Sequence, residues 1–392
     1  MFLTVIIFIV VLGLIVFVHE LGHFYSAKKL GIGVEEFGFG FPPRLFGIQK
    51  INGTKKWKFI KGSKTPEITA ETKGNVIYSL NWIPIGGFVK IKGEQGDQKD
   101  EDDSFSSKKI WKRVVVLSAG VAMNFIFAFI IISIGFGIGI PNAVDQDVPE
   151  SAIVFEQKIQ VVEVESESPA EEAGIKLGDI IVSSKEVFFV TTQDFQDFAG
   201  PNLNNEIILT IDRAGEEIVV NVIPEDLNDN GKGAVGIWLA DIGLIKYPWY
   251  MAIWMGAKTT VQITWQILVA FFELIKNLII TQEAGMELAG PVGIAVLTGQ
   301  VAKLGFIYLL QFAAILSINL GIINFIPFPA LDGGRVLFLL IEKIRKKPMN
   351  EKIEAMMHNF GFLLLILLVL FVTFKDISKY GDSIKGFFTN IF

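Results

Sequence analysis

Four long apolar stretches do most to limit what this chain can fold into. Phe2 to Val18 carries no charge, and at ~1.5 Å per helical residue it covers most of a ~30 Å hydrocarbon core. Lys28 and Lys29 follow it, so the positive-inside rule puts Met1 outside and His19 near the cytoplasmic end. No basic segment leads into the stretch and no small-residue cleavage site follows, so a retained helix is expected rather than a signal peptide. A second span is expected over 114–140, entered through Lys108, Lys109, Lys112 and Arg113 and leaving towards Asp145, Asp147 and Glu150. A third runs over about Phe306 to Phe328, with Arg335, Lys343, Arg345, Lys346 and Lys347 behind it, and a fourth over about Phe360 to Phe374. Trp249 to Ile280 is apolar too, but Lys258, Glu273 and Lys276 interrupt it. A single crossing there would leave the basic flank of the third span outside, so 247–300 is read as an interfacial amphipathic region.

Between the spans the character changes. Residues 27–113 are polar and lysine-rich with short β-like runs, and are expected in the cytoplasm; Gln95 to Ser107 within them reads as an acidic loop. Residues 155–226 alternate short β-branched runs with turns and are expected to form a small α/β domain outside. The expected architecture is therefore a multi-span α-helical membrane protein with about four transmembrane helices, at 1–26, 114–140, 305–340 and 357–375, and one inserted α/β domain. Only 19% of the 392 residues are charged, below the ~25% usual for soluble domains. The formal net charge of -6 has no basic bias and argues against a nucleic-acid partner. There is no cysteine, so any metal must be held by His, Asp or Glu.

Two of the three histidines fall in His19-Glu20-Leu21-Gly22-His23, at the end of the first apolar run. On a helix, positions i and i+4 share a face, so both imidazoles can reach one metal ion, with Glu20 beside it to take a proton from water. His and Glu at membrane depth are costly and usually functional. A catalytic metal needs a third protein ligand. Between Glu287 and Glu342 the only acidic residue is Asp332, on the cytoplasmic side with His19. Taken alone, Asp332 reads equally well as the cap of a helix beginning near Arg335; the need for a third ligand favours the metal. The motif points to Zn2+, although two imidazoles and a carboxylate also suit cobalt or manganese. His358 lies outside the pattern and reads as an ordinary interfacial residue.

These motifs resemble those of the site-2 protease family, intramembrane zinc metalloproteases. The resemblance rests on the His19 to His23 motif and on Asn324-Phe325-Ile326-Pro327-Phe328-Pro329-Ala330-Leu331-Asp332-Gly333. It extends to Gly86-Gly87-Phe88-Val89-Lys90, to Gly120 to Phe125 and to Gly290-Pro291-Val292-Gly293, and so covers nearly the whole chain. It implies zinc on His19, His23 and Asp332, Glu20 as catalytic base, and Asn324 and Asn124 near substrate or the developing oxyanion. For both asparagines, hydrogen bonding between helices is the plainer alternative, and it leads for Asn124. Pro327 and Pro329 are expected to break the third helix, since irregular backbone at membrane depth is tolerated where it lines a wet cavity. Gly86 to Ile91 is similar to the family's membrane-associated β-hairpin, which offers an edge to an unwound substrate.

Ser168 to Ile181 resembles a PDZ module, with Gly174 and Gly178 as turns and Ile175, Leu177, Ile180 and Ile181 as core candidates. Such a domain implies a peptide at its sheet edge or screening of substrates. The resemblance thus implies an endopeptidase of the bacterial cytoplasmic (inner) membrane. Its substrates would be single-pass membrane proteins of the anti-sigma factor or remnant signal peptide type. A scaffold holding partners through its PDZ-like domain would have no use for the His-Glu-His-Asp set. A tethered protease acting outside would need its ligands on the other face of the bilayer.

Overall fold

The computed structural model describes residues 2–62, 72, 74–94, 98, 100–144, 148–149, 151–213, 215–227, 231–280, 289–347 and 349–389. Asp145, Asp147 and Glu150, the expected exit of the second span, lie outside the described residues, as do 95–97 and 99 of the acidic loop. In chain order the elements are α1 (Phe2–Lys29), β1 (Val34–Lys50), β2 (Trp57–Lys61), β3 (Ile77–Ile91), α2 (Ile110–Ile138), β4 (Ile140–Ala143), β5 (Ile153–Val164), α3 (Pro169–Glu172), β6 (Ile180–Ser184) and β7 (Val187–Phe188). They continue with α4 (Thr192–Ala199), β8 (Ile207–Arg213), β9 (Glu216–Val222), β10 (Ile237–Lys246), α5 (Trp249–Ile280), α6 (Pro291–Leu304), α7 (Phe306–Phe325), α8 (Asp332–Arg345) and α9 (Glu351–Thr389). Among the described residues, α1, α2, α7 and α9 are long and apolar enough to cross a membrane; α5, with 32 residues, is not one of these four.

The chain divides into two compact units. The first comprises Met1–Ile130, Thr259–Gly299 and Phe312–Phe392. Here α1 runs past its apolar part, through the His-Glu-His segment, to Lys28 and Lys29, whose charges suit the negative end of the helix. Helices α1 and α2 cross with their backbones nearly touching: a Cβ on Gly22 would stand 2.3 Å from the Ala119 carbonyl oxygen. Small residues at such crossings are how membrane helices approach closely.

Against α1 lies an antiparallel sheet in the order β2-β1-β3. Gly40, with φ +80°, together with Pro42 and Pro43 bends β1, and Pro84 with Gly86 (φ +77°) bends β3; proline interrupts a ladder because it lacks the N–H. Each strand therefore pairs twice. The ribbons lie side by side as 87–91, 34–39, 77–81, 44–50 and 57–61, which leaves 87–91 at an edge. A Cβ on Gly86 would meet the Val16 side chain at 2.6 Å, so the missing side chain lets this edge reach α1.

In the same unit α7 ends at Phe325 before Pro327 and Pro329, as the prolines require. Asp376, buried on α9, accepts from the backbone N–H groups of Gly290 (3.3 Å) and Gly293 (2.7 Å) at the start of α6. A carboxylate there satisfies otherwise unpaired donors at the positive end of the helix.

The second unit comprises Ile131–Lys258 and Gln300–Gln311. Its antiparallel sheet runs β4-β10-β5-β6-β8-β9, with β7 paired to β6. The limits 155–226 are too narrow for this sheet. Strand β10 pairs β5 from Ile237↔Val164 to Lys246↔Ile153, and β4 pairs the far edge of β10 from Ile140↔Ile245 to Ala143↔Ile242. The core holds Ile159, Val161, Ile181, Leu209 and Ile211, all nearly fully buried. Ile175 joins them, whereas Leu177, expected in the core, is 72% exposed. It sits in the turn that Asp179 closes by accepting from the Lys176 N–H at 2.7 Å, so no strand or helix directs its side chain inward. Ser168 caps α3 ahead of Pro169, and Thr191 with Asp194 forms a capping box on α4.

Candidate metal centre

On α1 His19 and His23 are one turn apart, and both are buried. Val116 on α2 fixes one ring: its carbonyl oxygen accepts from His23 Nδ1 at 2.8 Å, so the lone pair of that imidazole is on Nε2. Asn124, fully buried one helical turn beyond Gly120, stands against the other ring, with its amide nitrogen 3.3 Å from His19 Nδ1. As oriented, Asn124 Oδ1 has no hydrogen-bond partner. Turning the amide over, which exchanges two groups of nearly equal size, lets that oxygen accept from His19 Nδ1–H and frees His19 Nε2. Both rings then aim Nε2 at one point.

Asp332 arrives there from the other end of the chain. It is the first residue of α8, and Leu331, not Asp332, occupies the cap position. The cap reading of Asp332 therefore fails, because its carboxylate turns to the histidines instead. Oδ2 lies 3.0 Å from His19 Nε2 and 3.3 Å from His23 Nε2, and the two Nε2 atoms are 3.2 Å apart. In a tetrahedral site with metal–ligand distances of ~2.0–2.1 Å, neighbouring donors stand about 3.3 Å apart. The three donor atoms thus form a triangle of the size of one face of such a site. A zinc ion fits it, and no other His, Asp or Glu trio among the described residues is so arranged.

Space for the rings comes from Gly120, where a Cβ would be 2.4 Å from His23 Nε2 and 2.9 Å from His19 Cε1. Glu20 points between α1 and the edge ribbon of β3, and its Oε2 accepts from the Val89 N–H at 3.2 Å. Asn324, near the end of α7, brings its amide nitrogen to 3.4 Å from His19 Nε2. All six residues singled out in the sequence therefore meet in one place. Asn124 stands on the Nδ1 side of the His19 ring, and Asn324 stands on its Nε2 side.

The segment carrying Asp332 is tightly folded. Cβ atoms on Gly333 and Gly334 would each lie 2.2 Å from a carbonyl oxygen, of Phe325 and Phe328 respectively. Ala330 has φ +80°. Its N–H donates to Nδ1 of His358 on α9 at 2.9 Å, so His358 is not the bystander that its sequence context suggested. Arg335, one turn after Asp332, forms an ion pair with Glu94. Ala330 and Gly333 fall within the Asn324 to Gly333 motif, whereas His358, Arg335 and Glu94 fall in none; the doubled glycine after Asp332 was the one local signal of a close approach.

The sequence pattern of Peptidase family M50 matches residues 7–61 and 56–368. The regulator of sigma-W protease RasP of Bacillus subtilis is 31% identical over 435 residues, covering 96% of this chain and 98% of that protein. A Clostridium perfringens protein described as a zinc metalloprotease is 34% identical over 365 residues, covering 93% of this chain and 95% of its own. Among solved structures, a PDZ domain of an SdrC-like protein from Listeria monocytogenes aligns with 21% of this chain and 85% of its own, at 18% identity and a TM-score of 0.20.

Proposed function

The chain belongs to peptidase family M50, the site-2 protease family that its motifs resemble, and from that premise we propose that it is a multi-pass zinc endopeptidase cutting single-pass membrane proteins within or beside the bilayer. The observation that carries the proposal is the triangle of His19, His23 and Asp332, with edges of 3.0, 3.2 and 3.3 Å. These three residues would hold the zinc. When bound, zinc supplies Lewis acidity, which makes a water acidic enough to attack a peptide carbonyl near neutral pH.

The remaining steps belong to the chain's own residues. Glu20, whose Oε2 accepts from the Val89 N–H, would take the proton of the attacking water and later return it to the leaving amine. Asn124 and the Val116 carbonyl keep the two imidazoles in the tautomer that leaves Nε2 for the metal. Asn324 Nδ2 would donate to the carbonyl oxygen as it gains charge, a role supported by its distance of 3.4 Å from His19 Nε2. A transmembrane substrate arrives as a helix whose peptide bonds are already hydrogen-bonded, so it must be extended before attack. The edge ribbon 87–91 offers replacement hydrogen bonds beside Glu20.

In this reading the protein sits in a bacterial cytoplasmic membrane, with the metal centre towards the cytoplasm and the β4–β10 sheet domain outside as a PDZ-like screen for substrates. Anti-sigma factors already trimmed outside and remnant signal peptides are the substrate types favoured; RasP, as its name says, regulates sigma-W. The test is cleavage of a co-expressed single-pass substrate by wild type and by Glu20→Gln. The variant keeps the metal ligands and an acceptor for Val89 N–H but loses the base, a change worth roughly 10²–10⁴-fold in rate. Cleavage should vanish while zinc stays near one per chain. Undiminished cleavage by the variant would overturn the mechanism.

A further inference from the structure

We infer that His358 is a positioning residue for the metal site: it acts through the backbone of Ala330 to hold Asp332 where the metal needs it. This rests on the reading of Asp332 as a metal ligand. The segment between α7 and α8 has to deliver a carboxylate to within 3.3 Å of two imidazoles on another helix. Two residues before that carboxylate, Ala330 holds φ +80°, a region that a residue with a Cβ enters only when its surroundings compel it. The Ala330 N–H meets His358 Nδ1 at 2.9 Å.

Two further observations point to the same clamp. His358 and Gly361 lie three residues apart on α9 and so face the same way. A Cβ at Gly361 would be 2.4 Å from the Pro329 carbonyl oxygen, so this face of α9 is seated on the segment itself. With Nδ1 accepting, the imidazole proton is on Nε2, which is buried and meets no hydrogen-bond partner. Phe338 of α8 packs edge-on against the same ring, with centroids 5.4 Å apart. The histidine thus joins α9, the 326–331 segment and α8 at the point where α8 begins with Asp332.

The experiment measures how fast zinc leaves the purified full-length protein in detergent when a chelator is added, for wild type, His358→Phe, His358→Asn and the double variant Ala330→Gly/His358→Phe. Phenylalanine keeps the ring against Phe338 but cannot accept. Asparagine can put an oxygen near the position of Nδ1. Glycine at 330 adopts φ +80° without being held there. The expected result is zinc loss roughly tenfold faster for His358→Phe, the scale seen when a support of a metal ligand is removed. His358→Asn should lie close to wild type, and the double variant should recover most of the difference. A histidine that merely packed α9 would not be rescued by a glycine on a different segment.

Equal rates for wild type and His358→Phe would overturn the inference. So would an His358→Asn chain as leaky as His358→Phe, or a double variant with no recovery. Should His358→Phe fail to accumulate, accumulation of the double variant supports the clamp and failure of both overturns it. A wild type that binds no zinc would instead overturn the metal reading itself, so the two failures are distinguishable.

Discussion

At the residue scale, the most exacting position in the metal centre is one that ligates nothing. Gly120 lies where a Cβ would intrude to 2.4 Å from His23 Nε2, so Gly120→Ala should drive one imidazole off the metal. Zinc in the purified protein should fall well below one per chain. Gly137→Ala, on the same helix with no atom within 4 Å of the added carbon, should leave zinc content unchanged. Asn124 is the second test at this scale. If it fixes the tautomer of His19, Asn124→Ala should weaken zinc binding by about 10–100-fold in competition with a chelator; unaltered affinity would return it to simple helix packing. The pairing of His19 with His23 on one helix face was legible in the sequence because a one-turn spacing is a local property. Asp332 was legible only through what the histidines lacked: its segment alone suited a helix cap equally well, and the cap position is held by Leu331. His358 was not legible, since its partner is a backbone N–H 28 residues away and a backbone group leaves no mark on composition.

At the element scale, the edge ribbon 87–91 gives a sharper test of substrate handling than any pocket. Val89 pairs with Phe37 on one side, yet its N–H points the other way, to Glu20. Val89→Pro should therefore spare the ladder to β1, because proline is tolerated where the N–H faces away from the sheet. Cleavage of a single-pass substrate should fall at least tenfold with zinc content preserved, the factor corresponding to ~1.4 kcal/mol, about one hydrogen bond to a charged group. Loss of zinc together with activity would mean that the ribbon supports α1 and not the reaction. The sequence marked this ribbon by its paired glycines. It did not reveal the doubled pairing of β1 with β3, which depends on two bends, around Gly40 and Gly86, coming into register. For the same reason β10 was missed: its partners β4 and β5 are far away in the chain, and no local period announces which strand lies beside which.

At the scale of the whole molecule, four apolar helices and their basic flanks predict sidedness. Protease-accessible tags in the β4–β10 sheet domain and after Arg335 should be cut from opposite faces of the membrane; cutting of both from one face would overturn the topology and with it the interfacial reading of α5. The spans were the most legible part of the chain, because lipid demands length and apolarity within one continuous stretch. The metal centre has the opposite character. His19 and Asp332 are separated by 313 positions, so its two halves are supplied by α1 and by the first residue of α8. Synthesis and insertion from the N-terminus therefore give an interval in which α1 is already in the bilayer with two imidazoles and no carboxylate. On the reading of Asp332 as the third ligand, the growing chain lacks a complete metal site during that interval. On the same reading the chain could hydrolyse nothing until α8 has been delivered, so completion of its own fold would be the first control on its activity.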